Sequence, residues 1–299
     1  MNQFSIRDIE NLCGIKAHTL RIWEQRYKLF VAKRKVSKHR IYDNEDLKEL
    51  LRISFLYHNG YKISKLAELT AEQRQEALIR AVAKEDNHEL FIHQLIEASV
   101  DFDKERFDKI INTLVIRSGL EKAIFQVFYP FLQRIGLLWM TNNLIPAQEH
   151  FSSHIIRKKI ICAIDGLDMN PSAATRVLLF TPAGEHHEIP LLAADYLLKK
   201  NNVRTVYFGV NMQLEPLQTY LRRHTVDFIY THVISCPKNT GLDNYLESLC
   251  KIFPGKKVLM SGPATKLIQQ KPEEVTILHS PYELITFIKD AEKQKAAAD

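Results

Sequence analysis

Apolar positions in the first seventy residues come in short bursts at helical spacing. "SIRDIENLCG" begins with Ser5 followed three residues later by Asp8, the spacing of a capping box, and stops at Gly14. In "KAHTLRIWEQRYKLF" the positions Leu20, Trp23 and Tyr27 recur at i, i+3 and i+7 and predict a core-facing stripe. His18, Arg21, Gln25 and Lys28 fall on the opposite, outward face. Two short helices joined at a glycine, the second with a polar and basic face, suit a helix-turn-helix whose second helix enters the major groove. "VAKRKVSKHRIYD" mixes basic and β-branched residues and predicts a two-stranded wing; "DNEDLKELLRISFLYHNGYKISKLAELT" predicts a helix, a turn at Gly60 and another helix.

The pattern then changes twice. Residues 71–170 read as helix throughout. Stretches at about 72–83 and 87–97 precede "FDKIINTLVIRSG", with Phe107, Ile110, Ile111 and Leu114 on one face. "LEKAIFQVFYPFLQRIGLLWM" follows, with Phe125, Phe128, Leu132, Ile135 and Trp139 on one face and a kink expected at Pro130. Another helix begins at Pro146, a good first helical position. From 171 to 299, apolar runs alternate with helical ones: "RVLLFT", "RTVYFG", "VDFIYTHVIS", "KKVLMSG" and "EVTILH" as strands, and "PLLAADYLLKK", "LEPLQTYLRRH", "GLDNYLESLCKIF", "ATKLIQQ" and "PYELITFIKDAEKQ" as helices. The expected fold is multidomain: an all-α winged helix-turn-helix over 1–70, a helical bundle over 71–170, and an α/β flavodoxin-like doubly wound parallel sheet over 171–299. Ligands of such a sheet bind at the carboxyl ends of its strands. "TPAGEHHEIP", after the first of them, therefore puts His186 and His187 at the crevice mouth.

Charge sharpens the first segment. Residues 1–70 hold fourteen Lys and Arg against eight Asp and Glu; the remainder of the chain is balanced, so the net +6 belongs to the first segment. Positions 16–40 hold nine basic residues against Glu24 alone. A concentrated basic stripe is the electrostatic footprint of a nucleic-acid module, although a merely solvated surface has the same composition. The four scattered cysteines, without a C-x-x-C pair, exclude a disulfide framework and a thiolate metal cage. With no bilayer-length apolar run, and neither the basic nor the apolar region of a signal peptide in "MNQFSIRDIE", a cytoplasmic location without membrane contact is expected.

"TLRIWEQRY", then R-x-V-x-x-x-R-I-Y, then L-x-x-x-G-Y-x-I-x-x-L resembles the winged DNA-binding domain of MerR-type transcription regulators over essentially all seventy residues. The resemblance implies promoter double-stranded DNA as partner. It makes Arg21, Tyr27, Arg40 and Tyr42 the residues that touch it, with Lys33, Arg34, Lys35 and Lys38 adding phosphate contacts from the wing. Tyr27 and Tyr42 also fit a packing role. Lys38 stands where a glycine is common in the wing turn, which implies a different turn.

The crevice residues exclude several chemistries. "VISCPKN" after the third strand has no carboxylate for phosphoryl acceptance, and Gly184 alone does not make a dinucleotide loop. A Glu/His pair can do acid–base work, but no partner nucleophile stands in the other loops. An imidazole whose second nitrogen meets a carboxylate is a good cobalt or iron ligand, and Glu185 with His187 supplies that pair.

As E-x-H, the loop resembles the cobalamin-binding motif. Trp139 with Glu149 and His150 resembles the helical cap of the CarA/CarH/LitR group of MerR regulators. That resemblance implies adenosylcobalamin as cofactor and His187 as the cobalt ligand. Trp139, Glu149 and His150 would then lie over its upper face, with Ser235 and Gly262 along the nucleotide tail. Pro190, Pro237 and Pro263 stand where the family motifs carry small or flexible residues, and each is expected to narrow or stiffen the tail channel. Met140 stands where light-sensing relatives carry a second histidine.

Trp139 equally fits a bundle core, and Glu149 the positive end of its helix. Two readings stay open: a repressor whose cobalamin module sets a homo-oligomeric state (dimer or tetramer) and, in adenosylcobalamin-bound relatives, answers to light; or a cobalamin-independent regulator whose crevice meets an antagonist protein. A corrinoid-enzyme module would need a catalytic barrel, for which the length leaves no room.

Overall fold

The computed structural model describes residues 3–30, 33–34, 40–82, 88–140, 146–168, 175–235 and 241–298. It divides into two compact units, Met1–Ile155 and Ile156–Asp299.

The first unit opens with α1 (Ile6–Cys13) and α2 (Ala17–Tyr27). Ser5 and Asp8 close the expected capping box, and Gly14 ends α1 in the left-handed region at φ 68°. The wing is the antiparallel pair β1 (Lys33–Arg34) and β2 (Arg40–Ile41), with Lys33 opposite Ile41. Then come α3 (Asn44–His58), capped by Asp43, and α4 (Ile63–Glu68). Phe4, Ile9, Leu12, Leu20, Trp23, Leu47 and Phe55 are buried and form the core of this part. Tyr27 is only half-buried.

The helical segment contains α5 (Ala71–Val82), α6 (His88–Val100), α7 (Lys104–Ala123), α8 (Tyr129–Met140) and α9 (Pro146–Asp165). Phe107, Ile110, Ile111, Leu114, Phe128 and Ile135 are buried as the pattern predicts, whereas Phe125 and Leu132 are only partly so. The irregularity foreseen at Pro130 takes another form. A π-helical turn, Ile124–Phe128, precedes the proline, and α7 itself breaks at Gly119 (φ 80°, ψ 156°). A wider turn moves the upstream carbonyls that the proline ring would strike.

The boundary expected near residue 70 is bridged by ion pairs. Glu97 on α6, its side chain 4 % exposed, accepts from Arg52 of α3 at 3.2 Å and Arg106 of α7 at 2.7 Å. Arg74 of α5 meets Glu49 of α3 at 2.6 Å, and Lys48 of α3 meets Asp101 at 2.7 Å. Arg134 of α8 grips Glu89 of α6 with two hydrogen bonds, 2.6 and 2.9 Å long, and reaches the Leu12 carbonyl. Partial burial works against the Glu89 carboxylate, but hydrogen bonds from His93 and Arg134 outweigh it and hold its pKa at about 2, against an ordinary 4.5. A folded-state pKa below the unfolded one gives stability that is fully present above about 4.5 and is lost as pH falls through about 2. Urea midpoints measured from pH 5 to pH 2 should therefore fall less steeply in Arg134→Gln than in the wild type.

The second unit is a five-stranded sheet of β3 (Arg176–Pro182), β4 (Arg204–Met212), β5 (Phe228–His232), β6 (Lys257–Ser261) and β7 (Val275–Leu278). All pairings are parallel, in the order β4-β3-β5-β6-β7. The flanking helices are α10 (Ile189–Lys200), α11 (Leu214–Leu221), α12 (Leu242–Ile252) and α13 (Pro281–Ala298). Leu178, Phe180, Ile229 and Val258 pack toward α12, while Val177, Leu179, Tyr230 and Leu259 pack toward α10 and α13. Burial on both faces explains why the strands read as unbroken apolar runs. The helix expected over "ATKLIQQ" is only a 3-10 turn, Pro263–Leu267, too short to develop into an α-helix. Chain order reverses at β3, between β4 and β5, so the crevice opens where the histidine loop leaves β3.

Candidate functional sites

The basic face of α2 forms as expected: His18, Arg21, Gln25 and Lys28 are all exposed. Lys28 closes the helix in the left-handed region at φ 50°. Arg40 lies beside this face, 23 % exposed, with its Nε bonded to Glu24 at 2.7 Å, so it also ties the wing to α2. Tyr42 is a correction to the sequence-based expectation. It is 1 % exposed, its backbone forms an isolated antiparallel bridge with Phe4 and its ring packs edge-on to Phe30, so the residue packs the core and does not reach a phosphate. Lys35 and Lys38, and the side chain of Arg34, lie outside the described residues.

In the second unit the loop after β3 is built around one carboxylate. Glu185 is 1 % exposed. Its Oε2 accepts from the backbone N–H groups of Ile234 (2.7 Å) and Ser235 (2.8 Å) and from the Ser235 hydroxyl (3.1 Å). Its Oε1 accepts from the His187 N–H at 3.0 Å and meets His187 Nδ1 at 2.5 Å. Burial works against the charge, but the His187 hydrogen bond and the backbone donors of Ser235, His187 and Ile234 prevail and hold the pKa at about 2. A carboxylate that is ionised at neutral pH accepts a hydrogen bond from Nδ1–H and leaves the lone pair on Nε2, the tautomer a metal requires. The His187 side chain is 56 % exposed, so this imidazole stands at the crevice mouth; His186 is exposed as well.

Of the other residues named for the crevice, Ser235 joins Glu185 directly. Gly262 (φ 106°) lies so close to Val233 that a Cβ there would stand 2.2 Å from its carbonyl oxygen, hence a glycine. Pro190 sits in the first turn of an unbroken α10, where a missing N–H costs nothing, so it does not interrupt the helix. Pro263 begins the 3-10 turn, and Pro237 lies outside the described residues. In the first unit, Glu149 occupies the first turn of α9, half-buried, 3.3 Å from the exposed His150. Trp139 and Met140 are on the last turn of α8, with their side chains outside the described residues.

Some features carried no sequence signal. Glu188, next to His187, pairs with Arg157 of α9 and accepts from Tyr207 OH at 3.1 Å. Ser261 bridges Tyr230 OH at 2.7 Å and His232 Nδ1 at 2.8 Å, beneath the crevice. Among the described residues, no cluster of three or more His, Cys, Asp or Glu forms a metal cage. The donor set of this loop is one imidazole backed by one carboxylate. That fits a metal whose other positions are filled by a macrocycle, and it does not fit a bare ion.

Residues 4–73 match the model of the MerR HTH family regulatory protein, and residues 91–162 match that of the B12 binding domain. The HTH-type transcriptional repressor CarH of Myxococcus xanthus is 23 % identical over 282 residues, covering 92 % of this chain and 93 % of its own. CarA of the same organism is 25 % identical over 216 residues, 71 % of this chain and 70 % of its own. The chain is a CarA/CarH-like MerR regulator with a B12-binding domain. The second family match falls on α6 to α9, the helical segment, and so accounts for a part of the chain that charge and the crevice motifs leave unexplained. The HTH-type transcriptional regulator MlrA of Escherichia coli is 30 % identical over 73 residues, 24 % of this chain and 30 % of its own. Among solved structures, the Methanosarcina barkeri monomethylamine corrinoid protein superposes with a TM-score of 0.55 at 14 % identity, covering 68 % of this chain and 99 % of its own. That likeness establishes a shared fold. Among the described residues, no helix is long and apolar enough to cross a membrane.

Proposed function

We propose that this CarA/CarH-like regulator represses transcription by holding promoter duplex with the outward face of α2 and the wing, and that a cobalamin, in its adenosyl form, decides when it does so. His18, Arg21, Gln25 and Lys28 supply donors to base edges and phosphates, while Arg40, Lys38 and Arg34 contact phosphate from the wing. His187 is the protein's ligand to cobalt. Glu185 keeps its proton on Nδ1 and fixes the ring, and Ser235 locks that carboxylate in place. When bound, the corrinoid supplies a cobalt–carbon bond that light can break. Ser235 and Gly262 line the nucleotide tail, and Trp139, Glu149 and His150 belong to the cap of the same ligand. The protein's own task is to offer the ligand a tighter site in one assembly state than in the other, since only a differential affinity shifts an equilibrium. A dimer or tetramer then engages neighbouring half-sites with greater avidity than a single head.

The observation that carries this reading is the Glu185–His187 pair at the mouth of a parallel-sheet crevice, 2.5 Å apart, in a chain whose first seventy residues belong to a DNA-binding family. Purified chain mixed in the dark with adenosylcobalamin should retain corrinoid colour after gel filtration and bind its operator as an oligomer. Green light should change both the spectrum and the mobility. Retention of no corrinoid, with operator binding intact, would leave the cobalamin-independent regulator, whose crevice contacts an antagonist protein, as the better account.

A further inference from the structure

We propose that Asn211 is a positioning residue for His187: from the end of the edge strand β4 it clamps the turn that aims Glu185 at the imidazole. Three observations carry this assignment. First, Asn211 adopts the left-handed region at φ 59°, which an asparagine tolerates better than other residues with a side chain. That conformation turns its backbone N–H toward the histidine loop, where it is shared between Thr181 Oγ1 and the Glu185 carbonyl, each at 3.1 Å. Second, its side-chain Oδ1 accepts from the Gly184 N–H at 2.8 Å, while the Thr181 hydroxyl donates to the Glu185 carbonyl at 2.7 Å. The backbone on both sides of the Gly184–Glu185 peptide is thus held from β4. Third, the β3–β4 pairing shifts register between Leu179 and Phe180 and again between Phe180 and Pro182. Those irregularities re-aim the strand ends and bring Asn211 alongside a turn 27 residues earlier.

The physical consequence is a division of labour. Glu185 selects the His187 tautomer, and its carboxylate can do so only if its own backbone is fixed, because a rotation at Glu185 moves both oxygens away from Ile234, Ser235 and His187 together. Asn211 provides that fixation without touching the imidazole. It is exposed at the sheet edge, so replacing it deletes the clamp without opening a cavity in the core. The proposal rests on the reading that His187 meets a corrinoid, but its first readout is independent of one.

The test uses the full chain with 15N-labelled histidine, the His187 signals being assigned by their loss in His187→Gln. In the wild type the ring nitrogens should report a single tautomer with the proton on Nδ1. Asn211→Gly keeps the left-handed backbone and removes only the amide acceptor. It should give averaged His187 nitrogen shifts and bind hydroxocobalamin about tenfold more weakly, as loss of a group that orients a metal ligand does. Asn211→Asp, which retains an acceptor and tolerates the same φ, should restore both readouts. An unchanged His187 tautomer in Asn211→Gly, with unaltered hydroxocobalamin affinity, would overturn the assignment; so would failure of Asn211→Asp to rescue. A wild-type chain that holds the Nδ1 proton but takes up no hydroxocobalamin would overturn the corrinoid reading alone, and the clamp would then stand or fall on the nitrogen spectra.

Discussion

Replacing Arg21 and Arg40 together by alanine should weaken binding to a duplex selected by the wild-type chain by roughly 100- to 1000-fold, and lower the slope of log affinity against log salt by about two. The two residues contribute in different ways. Arg21 is exposed on α2 and, in the proposed complex, acts through what it donates to DNA, so Arg21→Ala alone should cost about 1–3 kcal/mol of binding and leave thermal stability unchanged. Arg40 is tied by its Nε to Glu24 on the same helix. Its loss removes one cation, as the loss of Arg21 does, and in addition breaks the tie between the wing and α2. Arg40→Ala should therefore lower the salt slope by about one, as Arg21→Ala does, and also cost some stability. Fluorescence anisotropy at several salt concentrations measures both terms. A double variant with wild-type affinity and salt slope would place the DNA surface elsewhere. Tyr42→Phe provides a contrast: because the hydroxyl is buried in the core, the substitution should leave DNA affinity unchanged.

The second large effect is expected at Glu185. Glutamine preserves its shape but not its chemistry. Five donors converge on the carboxylate, from Ile234, Ser235 (backbone and hydroxyl) and His187 (backbone and ring). An amide offers one oxygen. If that oxygen serves the Ile234 and Ser235 N–H groups, the amide NH2 faces His187, and the ring can keep a hydrogen bond only by moving its proton from Nδ1 to Nε2. That proton occupies the lone pair through which cobalt would be bound. Glu185→Gln should therefore fold with a loss of about 1–3 kcal/mol, yet reduce hydroxocobalamin affinity by about 10- to 100-fold. Glu185→Ala, which leaves all five donors without this acceptor in a buried site, should cost about 3–5 kcal/mol and abolish retention of the corrinoid. Chemical unfolding and visible spectra of the same samples separate the two quantities. If Glu185→Gln keeps full affinity, the carboxylate does not control the tautomer.

Much of this architecture is legible in the linear pattern. The capping box at Ser5, the stop at Gly14, the outward set His18, Arg21, Gln25 and Lys28, and the apolar cores of the five parallel strands all follow from local rules, because each depends on residues within a turn or two of one another. The Glu185–His187 pair is similarly local, two residues apart on one loop. At Tyr42 a contact distant in sequence overrides the local preference. Tyr42 has the composition of a surface contact, but its bridge to Phe4 draws it inward. Pro130 carries a kink signal, but the chain absorbs the strain in a π-helical turn upstream and breaks at Gly119. Ion pairs also join the residues on either side of position 70, Arg52 with Glu97 and Arg74 with Glu49, and these partners are too far apart in sequence for any periodicity to connect them.

By itself, then, the sequence determined the order of segments, the basic head, the parallel sheet and the identity of the histidine at its mouth, since hydrophobic period, turn chemistry and net charge are properties of neighbouring residues. Only the tertiary structure decided which groups hold that histidine. Ser235 and Ile234 reach Glu185 across about 50 positions of chain, and Asn211 reaches Gly184 across 27. Hydrogen bonds of this kind depend on where strand ends arrive after the sheet has paired. A shift of one register position in β4 would carry Asn211 away from the loop while leaving every local signal unchanged.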